Sequence, residues 1–154
     1  AWTRFDKVKH FKLKVGEELA RTQQIDGSYE YRFNQAATDK IIRGYFQDEA
    51  IIKERLRIVV KNSTNHAGLG AIVTRSLMNT GVNVVAVENA SKVNENTKII
   101  GAPSYTNLRI RQLMRQSCQA SDLRQEYSCM YNSSIDPRAD IIVEVGEDEW
   151  RRIQ

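Results

Sequence analysis

Leu56-Arg57-Ile58-Val59-Val60-Lys61-Asn62-Ser63-Thr64-Asn65-His66-Ala67-Gly68-Leu69-Gly70 is the stretch on which the fold of this chain turns. Residues 56–60 form a β-branched run of strand length. Polar turn formers from Lys61 to Asn65 end it. Beyond Gly68, Leu69, Ile72, Val73 and Leu77 fall on one face of a 3.6-residue period, which predicts an amphipathic helix. Gly81 stands where a left-handed C-cap closes that helix, and residues 82–87 supply the next strand. Where strand, helix and strand follow one another and the two strands lie parallel, the crossover is right-handed.

Downstream, residues 89–96 read as a polar loop, 97–100 as a short strand, and Ala102-Pro103-Ser104 as a stop before another helix. That helix, residues 105–118, is expected to bury Ile110, Leu113, Met114 and Cys118, with Arg111 and Arg115 outside. Two more strands are expected near residues 127–131 and 140–145, with an Asp136-Pro137 turn before the second and Trp150 folding back as a closing aromatic. The order strand-helix-strand-strand-helix-strand-strand predicts an α/β (α+β) domain over residues 56–154. Its mixed sheet would carry crossover helices on at least one face.

Upstream, residues 8–15 predict a strand, because apolar and polar side chains alternate from Phe11 to Val15. Asp26-Gly27 signals a turn, Tyr29, Tyr31 and Phe33 alternate again, and Asn34 is placed to cap a helix over residues 35–47. Residues 1–50 thus read as a small hairpin plus helix. The charged stretch 48–55 reads as a linker.

With 41% apolar and 27% charged residues, two prolines and eight glycines in 154 residues, the chain is globular and not low-complexity. No stretch reaches the ~20 apolar residues of a membrane span, and residues 1–15 lack the apolar run of a signal peptide. The start at Ala1 is expected of a fragment or a processed chain. A net charge of +4, scattered among acids, favours anionic polymers or anionic lipid surfaces over nucleic acid. Cys118 and Cys129 have neither CxxC spacing nor histidines placed for zinc; they fit a disulfide in an oxidising compartment or two buried thiols.

Several landmarks occur in the order found in one family. They are Leu56-Arg-Ile-Val-Val-Lys-Asn-Ser-Thr, Ala67-Gly-Leu-Gly-Ala with Leu77 and Gly81, Asn89-Ala90 with Thr97-Lys-Ile-Ile, and Ala139-Asp-Ile-Ile-Val-Glu-Val-Gly-Glu-Asp. Together they resemble the LytR C-terminal domain carried by LytR-CpsA-Psr proteins of the bacterial envelope. Val15-Gly-Glu, Asp26-Gly, Tyr31 and Ile41-Ile-Arg-Gly-Tyr-Phe resemble the segment that trails the catalytic core of those proteins. That core is associated with moving secondary wall polymers from a polyprenyl-pyrophosphate carrier to peptidoglycan. No motif of it occurs in this chain, so the resemblance implies location and process and carries over no catalytic residue.

The candidate binding residues are Asn62, Ser63, Thr64, Asn65, His66, Gly68 and Gly70, at a strand-to-helix turn where free N–H groups and the helix dipole attract a phosphate or carboxylate. A packing role for the glycines and a capping role for the polar residues fit the same stretch, which lacks GxGxxG spacing and a P-loop lysine. Ser63 and His66 suggest a nucleophile and base only if an acid orients the histidine, and the sequence places none. Arg75, Arg109, Arg111 and Arg115 fit either a phosphate-binding surface or a solvated helix exterior. Tyr29, Tyr31 and Trp150 fit sugar stacking or burial.

The expected function is a non-catalytic accessory domain, without cofactor or metal, outside the cytoplasmic membrane and part of a membrane-anchored parent protein. Its expected partner is peptidoglycan or an anionic wall polymer. The alternative is association with itself or other envelope proteins through exposed strand edges.

Overall fold

A computed structural model describes residues 12–115 and 136–154. The chain divides into two compact units, residues 1–44 and 45–154. The cysteine pair and the strand expected at 127–131 lie outside the described residues.

In the first unit, strand β1 (Leu19–Gln23) pairs antiparallel with β2 (Tyr29–Phe33), in register from Leu19↔Phe33 to Gln23↔Tyr29. The Asp26-Gly27 signal holds: Gly27 has φ 84°, and Asp26 Oδ1 accepts from the Ser28 amide at 2.9 Å. Helix α1 (Gln35–Phe46) starts after Asn34, whose side chain accepts from the Ala37 amide at 3.3 Å. No residue of α1 is buried.

Of the strand expected at 8–15, residues 8–11 lie outside the described residues, and residues 12–15 form no part of β1. Residues 12–14 are irregular, and Val15 makes one isolated bridge, to Leu19. The chain instead turns back on Lys14, whose carbonyl accepts from the amides of Glu17, Glu18 and Leu19, with Gly16 at φ 93°. Turn geometry, not the alternation upstream of it, sets which residues pair with β2.

The second unit begins with the end of α1 and then α2 (Glu49–Glu54), in the stretch read as a linker. This correction has a plain cause. Asp48 caps the helix by accepting from Ala50 N at 3.0 Å, its own amide donates to Thr80 O, and Ile51 is buried in the principal core. A six-residue helix with only two or three inward positions shows too little periodicity to be read from sequence.

Next come β3 (Arg57–Asn62), α3 (Leu69–Asn79), β4 (Asn83–Asn89), β5 (Lys98–Gly101), α4 (Tyr105–Leu113), β6 (Ile141–Val145) and α5 (Glu147–Ile153). The sheet order is β4-β3-β6-β5, with β3 parallel to both neighbours and β5 antiparallel to β6. This is the expected mixed α/β sheet. Strand β3 is buried on both sides, which is why residues 58–60 are uniformly apolar. Ile58 and Val60 join Ile141, Val143, Val145 and Ile99 beneath Leu69, Val73 and Leu77 of α3 and Ile110 of α4. Val59 and Ile142 pack with Ala139, Ala86 and Ile100 on the other face. Toward the carboxyl end of β3 that second face turns polar, and Lys98↔Glu144, Glu144↔Lys61 and Lys61↔Glu88 stand opposite one another across all four strands. Alternating signs across neighbouring strands favour this register.

Helix α4 ends at Leu113, short of the expected residue 118, with Met114 as C-cap and Arg115 in the left-handed region at φ 51°. Helix α5 was not anticipated. Its acidic first turn, Glu147, Asp148 and Glu149, suits a helix N-terminus, and Trp150 within it packs on the core, so the aromatic does close the domain.

Candidate functional site

The turn between β3 and α3 lies at the carboxyl end of the two parallel pairs, where ligands bind in open α/β sheets. Asn62 organises it. Its Oδ1 accepts from Thr64 N at 3.2 Å and Thr64 Oγ1 at 2.7 Å, while Nδ2 donates to His66 O at 2.9 Å. Thr64 Oγ1 in turn accepts from His66 N at 3.1 Å. A buried side-chain amide needs such partners, and here the turn itself supplies them. The backbone ties the turn to its neighbours: Ser63 N donates to Val145 O, Ala90 N to Asn62 O and Asn94 N to Ser63 O.

The His66 ring lies stacked on Trp150, centroids 4.1 Å apart at 13°, with Nε2 2.9 Å from Glu147 Oε2. Glu147 therefore sets a carboxylate against the turn from within the protein. Gly68 is the N-cap of α3 at φ 85°, a conformation that suits glycine. At Gly70 an added Cβ would meet Val87 Cγ1 at 3.3 Å and Asn62 Cβ at 3.4 Å, so close packing accounts for that glycine. Ser63 is 1% exposed, and its Oγ has no hydrogen-bond partner, so it is not bonded to His66. The outer rim is Asn65, Ala67 and Gly68, all exposed.

The arginines are not gathered here. Arg75 is half-buried midway along α3. Arg111, expected outside, turns inward: Nη2 donates to Ile99 O at 2.6 Å and Nε to Asn107 Oδ1 at 2.9 Å, and burial lowers its pKa. Arg115 is exposed beyond the end of α4, so it shares no helical face with Arg111. Arg109 lies 3.4 Å from Asp48 Oδ2, the same oxygen that accepts from the Tyr105 hydroxyl at 2.7 Å.

Other groups were not singled out from sequence. Asp148 Oδ1 accepts from Thr97 N at 2.8 Å and Thr97 Oγ1 at 2.7 Å, joining α5 to the start of β5. A groove of about 360 Å³ runs between α3, the end of α4 and α5, with Ile72, Leu77, Met114 and Ile153 in its walls. On its floor Glu149, 2% exposed, is paired with Arg152, whose Nε donates at 2.8 Å. The partners Thr97 and Asp148 lie 51 positions apart, so only proximity in the fold reveals that link. Among the described residues, no cluster of His, Cys, Asp or Glu side chains is arranged to hold a metal, and no helix is long and apolar enough to cross a membrane.

A four-stranded mixed sheet with a self-closed strand-to-helix turn, clamped by the helix that follows β6, defines a small α/β domain. Residues 55–148 match the family model described as LytR cell envelope-related transcriptional attenuator, and the chain belongs to that family as a LytR C-terminal domain. It is thereby a cell-envelope-associated domain. Comparisons with curated proteins and with solved structures each found no match.

Proposed function

We propose that this domain is a non-catalytic accessory module that works outside the cytoplasmic membrane, in a membrane-anchored parent protein, and contacts peptidoglycan or an anionic wall polymer. The observation that carries the reading is membership of the envelope family across residues 55–148. The net charge of +4 supports it, since a basic chain is drawn to phosphate- or carboxylate-bearing polymers. The rim of Asn65, Ala67 and Gly68, which follows the carboxyl end of β3 and flanks His66 of the His66–Trp150 stack, offers an accessible surface with one polar side chain. Asn62 is buried and bonded to Thr64 and His66, so its role in binding is to position that rim.

The test is retention of the chain on purified sacculi, with and without their covalently attached polymers, against a control protein of equal size and charge. The reading expects enrichment over the control and a several-fold loss of it in Asn65→Asp. Retention no better than the control on both preparations overturns it.

A further inference from the structure

We propose that β4 is a self-association edge along which two copies of this chain pair antiparallel, joining their four-stranded sheets across a two-fold axis at Ala86. The inference does not depend on polymer binding. Three observations carry it.

First, β4 is seven residues long and, among the described residues, has a strand neighbour on one side only, β3. Among the described residues no strand pairs with its other edge, whose backbone groups are a ready template for another strand. Prolines, lysines and arginines, which blunt such edges, are absent from Asn83-Val-Val-Ala-Val-Glu-Asn89.

Second, this sequence is nearly the same read in either direction. Turned antiparallel about Ala86, Val85 opposes Val87 of the other copy, Asn83 opposes Asn89, and Ala86 opposes itself. Val85 and Val87 are 44% and 48% exposed, high for valines of a sheet. Cross-strand β-branched pairs are favourable. The one charge on the strand, Glu88, is already held by Arg138 Nη1 at 2.6 Å, so two copies bring no uncompensated like charges together.

Third, the helix above the edge allows close approach. Val87 faces α3, as its 3.3 Å distance to a Cβ built on Gly70 shows. At 3.6 residues per turn, Thr74, Met78 and Ala71 continue round α3 from Gly70, away from the flank of Ile72 and Ser76 that borders the groove. Two of these three are small, so the α3 helices of two copies can meet side by side over the joined sheet.

The size of the contact sets its strength. Seven residues at ~3.3 Å each give an edge about 23 Å long, and a strand-plus-helix layer is roughly 20 Å deep. Each copy then contributes on the order of 500 Å², below the ~800 Å² of a standard interface, so the dimer is weak and reversible. The register shift between Ile58 and Val59 makes Val85 the extra residue on β4, and a bulge of this kind also holds an edge back from unlimited pairing. Closed two-fold pairing uses up the edge and stops at two copies.

The experiment is analytical ultracentrifugation of the whole chain from about 5 to about 500 µM, a range suited to an interface of this size. A monomer–dimer equilibrium is expected. Val85→Lys should weaken it at least tenfold, while Val85→Thr and, on the other flank of α3, Ile72→Lys leave it within about twofold. Circular dichroism checks that each variant is folded. Independently, Ala86→Cys in a Cys118→Ser, Cys129→Ser background should give a disulfide-linked dimer on mild oxidation, because residues directly opposed in an antiparallel pair have Cα atoms about 4.5–5.5 Å apart, within the span a disulfide bridges. A strict monomer at the highest concentration overturns the proposal. So does a dimer indifferent to Val85→Lys, or a folded Ala86→Cys protein that fails to crosslink.

Discussion

Asp140 precedes β6 and is bound to Arg57 at the start of β3 from both ends of that residue. Its Oδ2 accepts from Arg57 N at 2.7 Å and Nε at 3.2 Å, and its Oδ1 from Nη2 at 3.1 Å. These bonds hold its carboxyl below the ordinary carboxylate range, and Arg138 does the same for Asp136, down to about 2. A carboxyl whose folded pKa is depressed binds protons more readily when unfolded. Its stabilisation is therefore complete above the unfolded value, near 3.8, and is lost as pH falls through the folded one. The chain should lose stability in acid mainly between pH of about 4 and about 2. Asp140→Asn should be less stable at neutral pH yet fall less steeply over that window. Urea midpoints for both proteins across the range would check it; parallel curves would sink the idea. At this scale the sequence was legible where partners are near in the chain. Asn62 and Thr64 are two residues apart and form the turn their side chains favour. The partner of His66 lies 81 positions away, and no local pattern connects the two.

Helix α2 shows what a single element does when its neighbours need it. The Glu54 carboxylate accepts from Tyr105 N at 3.0 Å and Thr106 N at 2.8 Å, so it covers the free amides at the start of α4. Burial alone would raise its pKa, but the hydrogen bonds from Thr106 and Tyr105 outweigh that and hold it low. Ile51 fills the principal core, and Ile52 lies where a side chain on Gly81 would be, 2.9 Å from a Cβ built there. We expect Ile51→Ala to cost about 2–4 kcal/mol, as buried large-to-small changes do. Glu54→Ala should cost about 1 kcal/mol, the scale of a lost helix cap. Urea denaturation gives both figures, and changes under about 0.5 kcal/mol would mean α2 is peripheral. The strands and α3 were legible because β-branched runs and a helical period repeat over several residues. Helices α2 and α5 were not, since each is under two turns and charged, and what fixes them is capping and contact with distant elements. Arg111 belongs to the same lesson: periodicity places it on an outer face of α4, but β5 lies alongside and offers the Ile99 carbonyl.

Across the whole molecule the two units differ in what holds them. In residues 45–154 a two-faced sheet buries Ile58, Val59, Val60, Ile141 and Val143 completely or nearly so, and each such side chain contributes roughly 1.5–3 kcal/mol. In residues 12–44 the described side chains include no buried hydrophobic residue; Tyr29, Tyr31 and Phe33 line one face of the hairpin and are about half exposed or more. A two-stranded hairpin without a covered face is marginal in water. Arg21 over the Tyr29 ring, 4.6 Å from its centroid, adds a contact but not a core. Opening free energy follows buried apolar contact, so amide hydrogen exchange should split along the same boundary. Amides of β1, β2 and α1 should exchange within seconds to minutes at neutral pH, while those of β3 and β6 are protected at least a thousandfold longer, a ratio equal to about 4 kcal/mol of extra opening free energy. Mass spectrometry of peptic fragments after timed deuteration resolves the two sets. Equal protection of Leu19–Gln23 and Ile141–Val145 would mean that something other than the contacts within residues 12–44 covers the aromatic face of the hairpin.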